Sequence, residues 1–238
     1  MTKFARHVLS AVAVLACAMG VSAPANAVFV ARICNDLQCA GGDDLIVQDN
    51  GAGDSFAGAG AINFTAAAFG YTFLVNTSQS KPMLGSATDP QLDLNFTATS
   101  NGTVGNVFLY ASDIGFTLGD GSALLTLGGT NSGGSGTVTG RAWGGTSNTA
   151  LQFSGANLIS SFAGLTGPTF AGSVTSPFTS VVNPYSLTIG VQVTRASAGT
   201  TTGNLNLQVS AIPEPSTWAT ILMGAALVGF VARRRRRL

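Results

Sequence analysis

Histidine and glutamate are absent between residues 28 and 211. The only histidine of the chain is His7 and the only glutamate is Glu214, each near one end. In the long central segment, a serine or cysteine nucleophile would therefore lack an imidazole base, and a zinc ion would lack a histidine ligand. We expect a protein without enzymatic activity and without a cofactor.

The alternative that these absences leave open is a hydrolase that uses aspartates alone, since a glycosidase pair without glutamate needs two aspartates. Asp89 with Asp93 and Asp113 with Asp120 are the pairs that can be proposed. Each lies near turn residues, where aspartate is ordinary.

Positive charge is also scarce between residues 28 and 211. Four basic residues stand against nine aspartates, a net charge of −5, and the basic ones are Arg32, Lys81, Arg141 and Arg195. A nucleic-acid-binding domain needs a basic face. We therefore expect no nucleic acid as a partner.

Threonine, valine, phenylalanine and isoleucine favour strands, and apolar residues alternate with polar ones in several places. The alternation is clearest over residues 92–98, 187–194 and 205–209. Further strands are predicted over residues 45–48, 71–76, 106–111, 123–127, 136–141 and 151–154. Residues 61–70 fit a strand or a short helix, and residues 157–183 fit long loops with one or two edge strands. Frequent glycine-rich turns between short strands favour an antiparallel β-sandwich or jelly roll, with a β-solenoid as the alternative.

The amino terminus has the layout of a secretory signal peptide helix. Lys3 and Arg6 precede an apolar stretch over residues 8–21, and Ala25-Asn26-Ala27 fits a cleavage site. We predict cleavage after residue 27, with an uncleaved membrane anchor as the alternative.

The carboxyl terminus consists of a Pro213-Glu214-Pro215 element, an uncharged run over residues 217–232 and five arginines. The prolines favour an extended link, and the uncharged run predicts a transmembrane helix of about 24 Å. The basic cluster should stay cytoplasmic and act as a membrane stop; it comprises Arg233, Arg234, Arg235, Arg236 and Arg237. An amphipathic or buried helix and a nucleic-acid tail are the alternatives. The predicted organisation is a signal peptide (1–27), an all-β domain (28–211) and a sorting tail (212–238).

These terminal elements together resemble the PEP-CTERM proteins. The resemblance covers Pro213, Glu214, Pro215, the span that follows and the arginine cluster. It implies export across the inner membrane of a Gram-negative bacterium and processing by an exosortase-like membrane enzyme. The tail would then hold the precursor in the membrane as a single-pass protein before delivery to the cell surface or the medium.

Two cysteines remain once Cys17 leaves with the signal peptide. Cys34 and Cys39 form an even pair in an oxidising compartment, which predicts a disulfide that stabilises the domain by about 2 kcal/mol. A metal site or a redox pair is the alternative, although the spacing is not that of a zinc or thioredoxin-like motif.

Two places could bind a ligand. Asp43, Asp44, Asp49 and Asp54 lie in a glycine-rich segment that could supply oxygen ligands for calcium, or could simply form solvated turns around a strand. Trp143, the only tryptophan between residues 28 and 211, could stack on a sugar or pack in the core.

The leading hypothesis is a non-enzymatic protein of the cell surface or extracellular matrix, with a structural or adhesive part beside exopolysaccharide. The second hypothesis is a secreted carbohydrate-binding module centred on Trp143 or on the acidic loop. The third is the aspartate-only hydrolase.

Overall fold

A computed structural model describes residues 28–102, 105–145, 147–180, 182–212 and 220–226. Within these ranges the domain is built from strands, with one 3-10 turn at Gly155–Asn157. The strands are β1 (Val30–Cys34), β2 (Leu45–Gln48), β3 (Ala61–Ala68), β4 (Tyr71–Gln79), β5 (Gln91–Ser100), β6 (Gly105–Phe116), β7 (Gly121–Ser132), β8 (Gly136–Gly144), β9 (Leu158–Ser161), β10 (Leu165–Thr166), β11 (Thr169–Phe178), β12 (Tyr185–Arg195) and β13 (Gly199–Ala211).

Alternating side chains give the domain its core. In β5, Leu92, Leu94 and Phe96 are buried, whereas Asp93 and Asn95 point away from the core. The same period of two recurs in β7 and β13, since successive side chains of a strand point to opposite faces, whereas β12 is buried on both faces from Tyr185 to Val191. One large apolar core results, enclosed between two sheets.

The strands form two antiparallel sheets. The first sheet has the order β10-β8-β12-β6-β1-β2, with β9 also paired to β8, and the second has the order β11-β7-β13-β5-β4-β3. From β5 to β8, and from β11 to β13, consecutive strands alternate between the sheets. The antiparallel β-sandwich prediction is confirmed. The β-solenoid alternative is wrong, because β13 lies between β5 and β7 rather than on a coil built by sequential neighbours.

Several local predictions need correction. Residues 151–154 are not a strand: Leu151 has a φ of 61°, and the segment packs on the outer face of the first sheet. For residues 61–70, where a strand and a short helix were both open, the structure has a strand over Ala61–Ala68. Residues 157–183 contain three strands, of which β11 has ten residues and tolerates Pro177 because it lies at an edge.

The terminal predictions fall largely outside the described residues. The signal peptide (1–27), the Pro213-Glu214-Pro215 element and the arginines at 233–237 all lie there. Residues 220–226, inside the proposed span 217–232, are helical. Across the described ranges, no helix has both the length and the apolar character needed to cross a membrane.

Candidate functional site

The outer face of the second sheet carries an ordered array of hydroxyl and amide groups. Antiparallel pairing places Thr97 opposite Thr202, and Thr202 opposite Thr130, so that the three side chains form a row across β5, β13 and β7. On one side the next row is Thr99, Thr200 and Ser132. On the other side Asn95 and Asn204 lie beside Gly128, and the row beyond them again has three polar side chains, those of Asp93, Asn206 and Thr126. We call the array the hydroxyl–amide face and define it by Asp93, Asn95, Thr97, Thr99, Thr126, Thr130, Thr200, Thr202, Asn204 and Asn206.

Neighbouring hydroxyls in this face bond to one another. The Oγ1 atoms of Thr99 and Thr200 are 3.1 Å apart, and those of Thr130 and Thr202 are 2.7 Å apart. Each hydroxyl of such a pair keeps acceptor capacity directed at solvent. The side chains stand about 4.8 Å apart between strands and about 6.7 Å apart along them. The face therefore presents regularly spaced donors and acceptors at half-buried and exposed positions.

Asp93 is the one ionisable group of the hydroxyl–amide face. Burial raises the pKa of Asp93 to about 6, against the opposing effect of hydrogen bonds from the Asn204 side chain and the Leu94 backbone. Its buried Oδ1 atom has no hydrogen-bond partner. The hydroxyl–amide face is therefore nearly neutral below pH 6 and carries one negative charge, on Asp93, above pH 6.

Trp143 packs inside a cluster on the outer face of the first sheet. Its side chain is 4% exposed, and its ring lies 5.8 Å from the rings of both Tyr110 and Phe153. The Tyr110 hydroxyl donates to the Leu37 carbonyl at 2.7 Å. This hydrogen bond holds the loop between β1 and β2 over the cluster. The proposed sugar-stacking site at Trp143 is therefore wrong, because the ring has no open face.

The predicted disulfide joins Cys34 and Cys39, with their Cα atoms 5.3 Å apart. Both cysteines are buried against Phe108 and Tyr110. Asp44 comes near the two sulfurs, but its carboxylate pairs with Arg32 at 2.5 Å. Sulfurs committed to a disulfide do not serve as thiolate ligands, so this group is not a metal site.

The acidic segment does not assemble a calcium site. Asp44 pairs with Arg32, whereas Asp49 and Asp54 accept hydrogen bonds from backbone N–H groups of the loop after β2. Among the described residues, the four carboxylates Asp43, Asp44, Asp49 and Asp54 form no cluster with ligand spacing. The calcium candidate is therefore not supported by the geometry.

The carboxylates of this loop bond to the backbone instead. Asp54 accepts hydrogen bonds from the backbone N–H groups of Asn50, Phe56 and Asn63. Asp49 accepts one from Gly60 at 2.7 Å. Burial raises the pKa of Asp49, an effect that the Gly60 hydrogen bond opposes and that Asp54 and Asp113 reinforce. The aspartates thus hold a loop in shape, as turn aspartates commonly do.

The aspartate pairs proposed for hydrolysis have other roles. Asp113 lies inside β6 rather than near a turn, is completely buried and pairs with Lys81 at 2.6 Å. Asp120 accepts a hydrogen bond from the Ser180 backbone. Asp93 lies inside β5, and Asp89 accepts one from the Gln91 side chain at 2.9 Å. The expectation that Asp93 and Asp113 lie near turns is therefore wrong, because both lie inside strands.

The sequence-based candidates did not include the hydroxyl–amide face. The signal was present as alternating Thr and Asn in residues 95–99 and 200–206. Reading that signal as a surface requires the pairing register of strands far apart in the chain, because Thr99 and Thr200 are separated by 101 positions.

Comparison with known proteins identifies the tail. Residues 211–237 match the model of the PEP-CTERM protein-sorting motif, so the chain carries this motif. No curated protein matches the sequence.

Solved structures resemble the β domain weakly. The CBM22-1 xylan-binding domain of Paenibacillus barcinonensis Xyn10C is 10% identical, with a TM-score of 0.34 over 62% of this chain and 86% of that one. The mannan-recognising module TmCBM27 is 13% identical, with a TM-score of 0.31 over 62% and 88% of the two chains. The active domain of tailspike protein 4 of bacteriophage CBA120 is 12% identical, with a TM-score of 0.33 over 60% of this chain; the match spans 20% of the tailspike.

Proposed function

We propose that the protein is a non-enzymatic component of the cell surface or extracellular matrix that binds exopolysaccharide through the hydroxyl–amide face. The PEP-CTERM motif at residues 211–237 implies an exported protein. An exosortase-like enzyme would process the tail, and the β domain would then act outside the cell as a structural or adhesive module.

The hydroxyl–amide face is the observation that carries this proposal. A neutral polysaccharide exposes hydroxyl donors and acceptors, and the face offers the same groups in rows on a sheet. Each exchanged hydrogen bond contributes only about 1 kcal/mol, so useful affinity requires many contacts along an extended chain. A row that runs from β5 through β13 to β7 supplies such contacts at regular spacing.

The scarcity of side chains suited to catalysis supports the non-enzymatic part. Residues 28–211 contain neither histidine nor glutamate. Of the aspartates, Asp113 is held by Lys81 and Asp54 by three backbone N–H groups. Carboxylates held in this way are poorly placed to act as acid, base or nucleophile.

Binding of the secreted protein to exopolysaccharide from the producing cells tests the proposal. Affinity electrophoresis of a Thr97→Val, Thr130→Val and Thr202→Val variant should show binding weakened about tenfold or more, since three hydroxyls are lost without a change of shape. Thr139→Val, on the outer face of the first sheet, is the matched control and should bind normally. Unchanged binding of the triple variant, or no binding by the unaltered protein, would overturn the proposal.

The tail has its own test. Intact-mass measurement of protein extracted from the cell surface should give a species that has lost Arg233–Arg237. A surface species that retains these arginines would make the tail a permanent anchor rather than a sorting signal.

A further inference from the structure

Strand β11 forms one edge of the second sheet. All ten of its residues pair with β7 in unbroken register, from Thr169 opposite Thr130 to Phe178 opposite Gly121. Within the described part of the chain, β11 has no strand on its other side. Its outer side therefore carries a row of backbone N–H and C=O groups without strand partners.

The two edges of the first sheet are protected because their strands are short. At one side β2 has four residues and lies between Asp44 and Asp49. At the other side β9 has four residues and β10 has two. Short strands offer little template for another strand, and at β2 the flanking charges reduce it further.

The opposite edge of the second sheet is protected by a bulge and a covering loop. The register of β3 shifts between Ile62 and Phe64. At that point the Ser55 backbone N–H donates to the Asn63 carbonyl at 2.8 Å, and the Asn63 N–H donates to Asp54. The loop thus occupies the outward groups of β3 at its bulge.

Strand β11 lacks these protections along most of its length, and its contact with β9 includes a hydrogen bond from the Ser176 hydroxyl to the Ser160 hydroxyl at 3.2 Å. Strand β11 contains no charged residue and no register shift. Its one proline, Pro177, is the second-to-last residue of the strand. Its outward side chains are small or hydroxylic: Thr169, Ala171, Ser173 and Thr175. A long, regular and uncharged edge of this kind is suited to pairing with another strand.

Charge favours approach at this edge over the opposite one. The domain carries a net charge of −5, but Asp43, Asp44, Asp49 and Asp54 lie beside β2 and β3. The acidic residue nearest to β11 along its partner strand is Asp120, beyond the Phe178 end. Two copies that meet through β11 therefore keep most of their negative charge apart.

We propose that β11 pairs antiparallel with β11 of a second copy of this chain. The second copy brings an edge of the same length, shape and neutrality, and a two-fold axis makes an antiparallel pair self-complementary. Pairing that keeps the outer faces of both copies on one side aligns nine of the ten residues and would form about eight backbone hydrogen bonds. The two six-stranded sheets would become one continuous sheet.

The pairing also affects polysaccharide binding, and this consequence rests on the proposed function. A two-fold axis perpendicular to the joined sheet leaves both hydroxyl–amide faces on the same side. A single polysaccharide chain could then contact both copies, which raises the apparent affinity without any new kind of contact.

Sedimentation equilibrium of the secreted protein, without polysaccharide, tests the pairing. The unaltered protein should dimerise with rising concentration, and Ser173→Lys with Thr175→Lys should remain monomeric because two like charges oppose each other across the edge. Thr65→Lys with Ala67→Lys places the same charges at exposed positions of β3 and should dimerise as the unaltered protein does. A monomer at all concentrations, or equal dimerisation of the β11 variant, would overturn the proposal.

Hydrogen exchange of the unaltered protein gives a second readout that needs no variant. The amides between residues 169 and 176 that point away from β7, about every second one, should exchange at least several-fold more slowly at concentrations where the dimer forms, while the amides of β3 keep their rates. Exchange in β11 that is independent of concentration would contradict the pairing. A β11 variant that is monomeric but still binds polysaccharide, more weakly, would separate the dimer from the binding face.

Discussion

The Nζ atom of Lys81 lies 2.6 Å from Oδ2 of Asp113, at the end of the sandwich core. The Asp113 side chain is fully buried, and the Lys81 side chain is 15% exposed. Ser80 donates to the same carboxylate oxygen at 2.6 Å, and the Ile114 backbone N–H donates to Oδ1 at 2.7 Å. The ammonium also lies 4.2 Å from the centre of the Phe116 ring. The only lysine between residues 28 and 211 therefore ties the loop after β4 to β6.

Removal of one partner of this ion pair should destabilise the domain. Asp113→Ala leaves a largely buried ammonium without its carboxylate and should lower the free energy of unfolding by about 3 kcal/mol. Urea denaturation measures the change. The double variant Lys81→Met with Asp113→Leu removes both charges and should be more stable than Asp113→Ala; equal or lower stability of the double variant would contradict this account.

Arg195 is a second buried cation, bound to neutral oxygens. It is 1% exposed and donates to the Thr201 hydroxyl and to the carbonyls of Ser132, Gly134 and Ser197. These contacts join the turn after β7 to the turn after β12. Arg195→Lys keeps the charge but loses the planar fork, so we expect it to lower the free energy of unfolding by roughly 2 kcal/mol.

Thermal unfolding of Arg195→Lys measures this effect. Arg141→Lys is the control, because Arg141 is only half-buried and its guanidinium bonds to the single oxygen of Gln192 at 3.2 Å. A loss of melting temperature in Arg195→Lys no larger than in the control would show that the fork geometry is unimportant.

Asp93 should make stability fall as pH rises. Its pKa of about 6 exceeds the value of 3.8 for an unperturbed aspartate, so the folded state binds more protons than the unfolded state between these values. The free energy of unfolding should therefore decrease from pH 4 to pH 6 through this group and stay lower above it. Asp93→Asn should remove that slope and raise stability at pH 7 by roughly 1 kcal/mol, a figure discounted for partial exposure to solvent.

Chemical denaturation at a series of pH values checks the Asp93 prediction. Asp89→Asn is the control, since Asp89 is exposed beside a turn. Parallel curves for Asp93→Asn and the unaltered protein between pH 4 and pH 6 would show that Asp93 does not titrate in this range.

The disulfide should stabilise the loop that covers the aromatic cluster. Cys34→Ser with Cys39→Ser removes the closure of a small loop and should lower the free energy of unfolding by about 2 kcal/mol. Because this loop is bonded to the Tyr110 hydroxyl, its release should also shift the emission of Trp143 towards longer wavelength. A Trp218→Phe background removes the signal of the tail, and an unchanged emission maximum would mean that the cluster keeps its cover without the disulfide.

Local patterns in the sequence were sufficient for much of the fold. The alternation over residues 92–98, 187–194 and 205–209 predicted β5, β12 and β13, because the orientation of a strand side chain depends on its position parity alone. The same rule failed at residues 151–154, where Leu151 and Phe153 are apolar because they pack against Tyr110 and Trp143, not because they belong to a sheet.

The candidate site needed more than local patterns. Asp43, Asp44, Asp49 and Asp54 are close in sequence, yet Asp44 turns to Arg32 while Asp54 binds the backbone of its own loop. Proximity along the chain therefore suggested a cluster that the fold does not form.

The sequence by itself determined the sorting motif at residues 211–237, the lack of histidine and glutamate in the domain, and the capacity of the chain to form alternating strands. Each of these depends on residue types at short spacing. Only the tertiary structure decided that Trp143 is enclosed, that Thr97, Thr130 and Thr202 share one row, and that β11 is left as an open edge. These features depend on register between strands distant in the chain, which is set by the packing of the whole core.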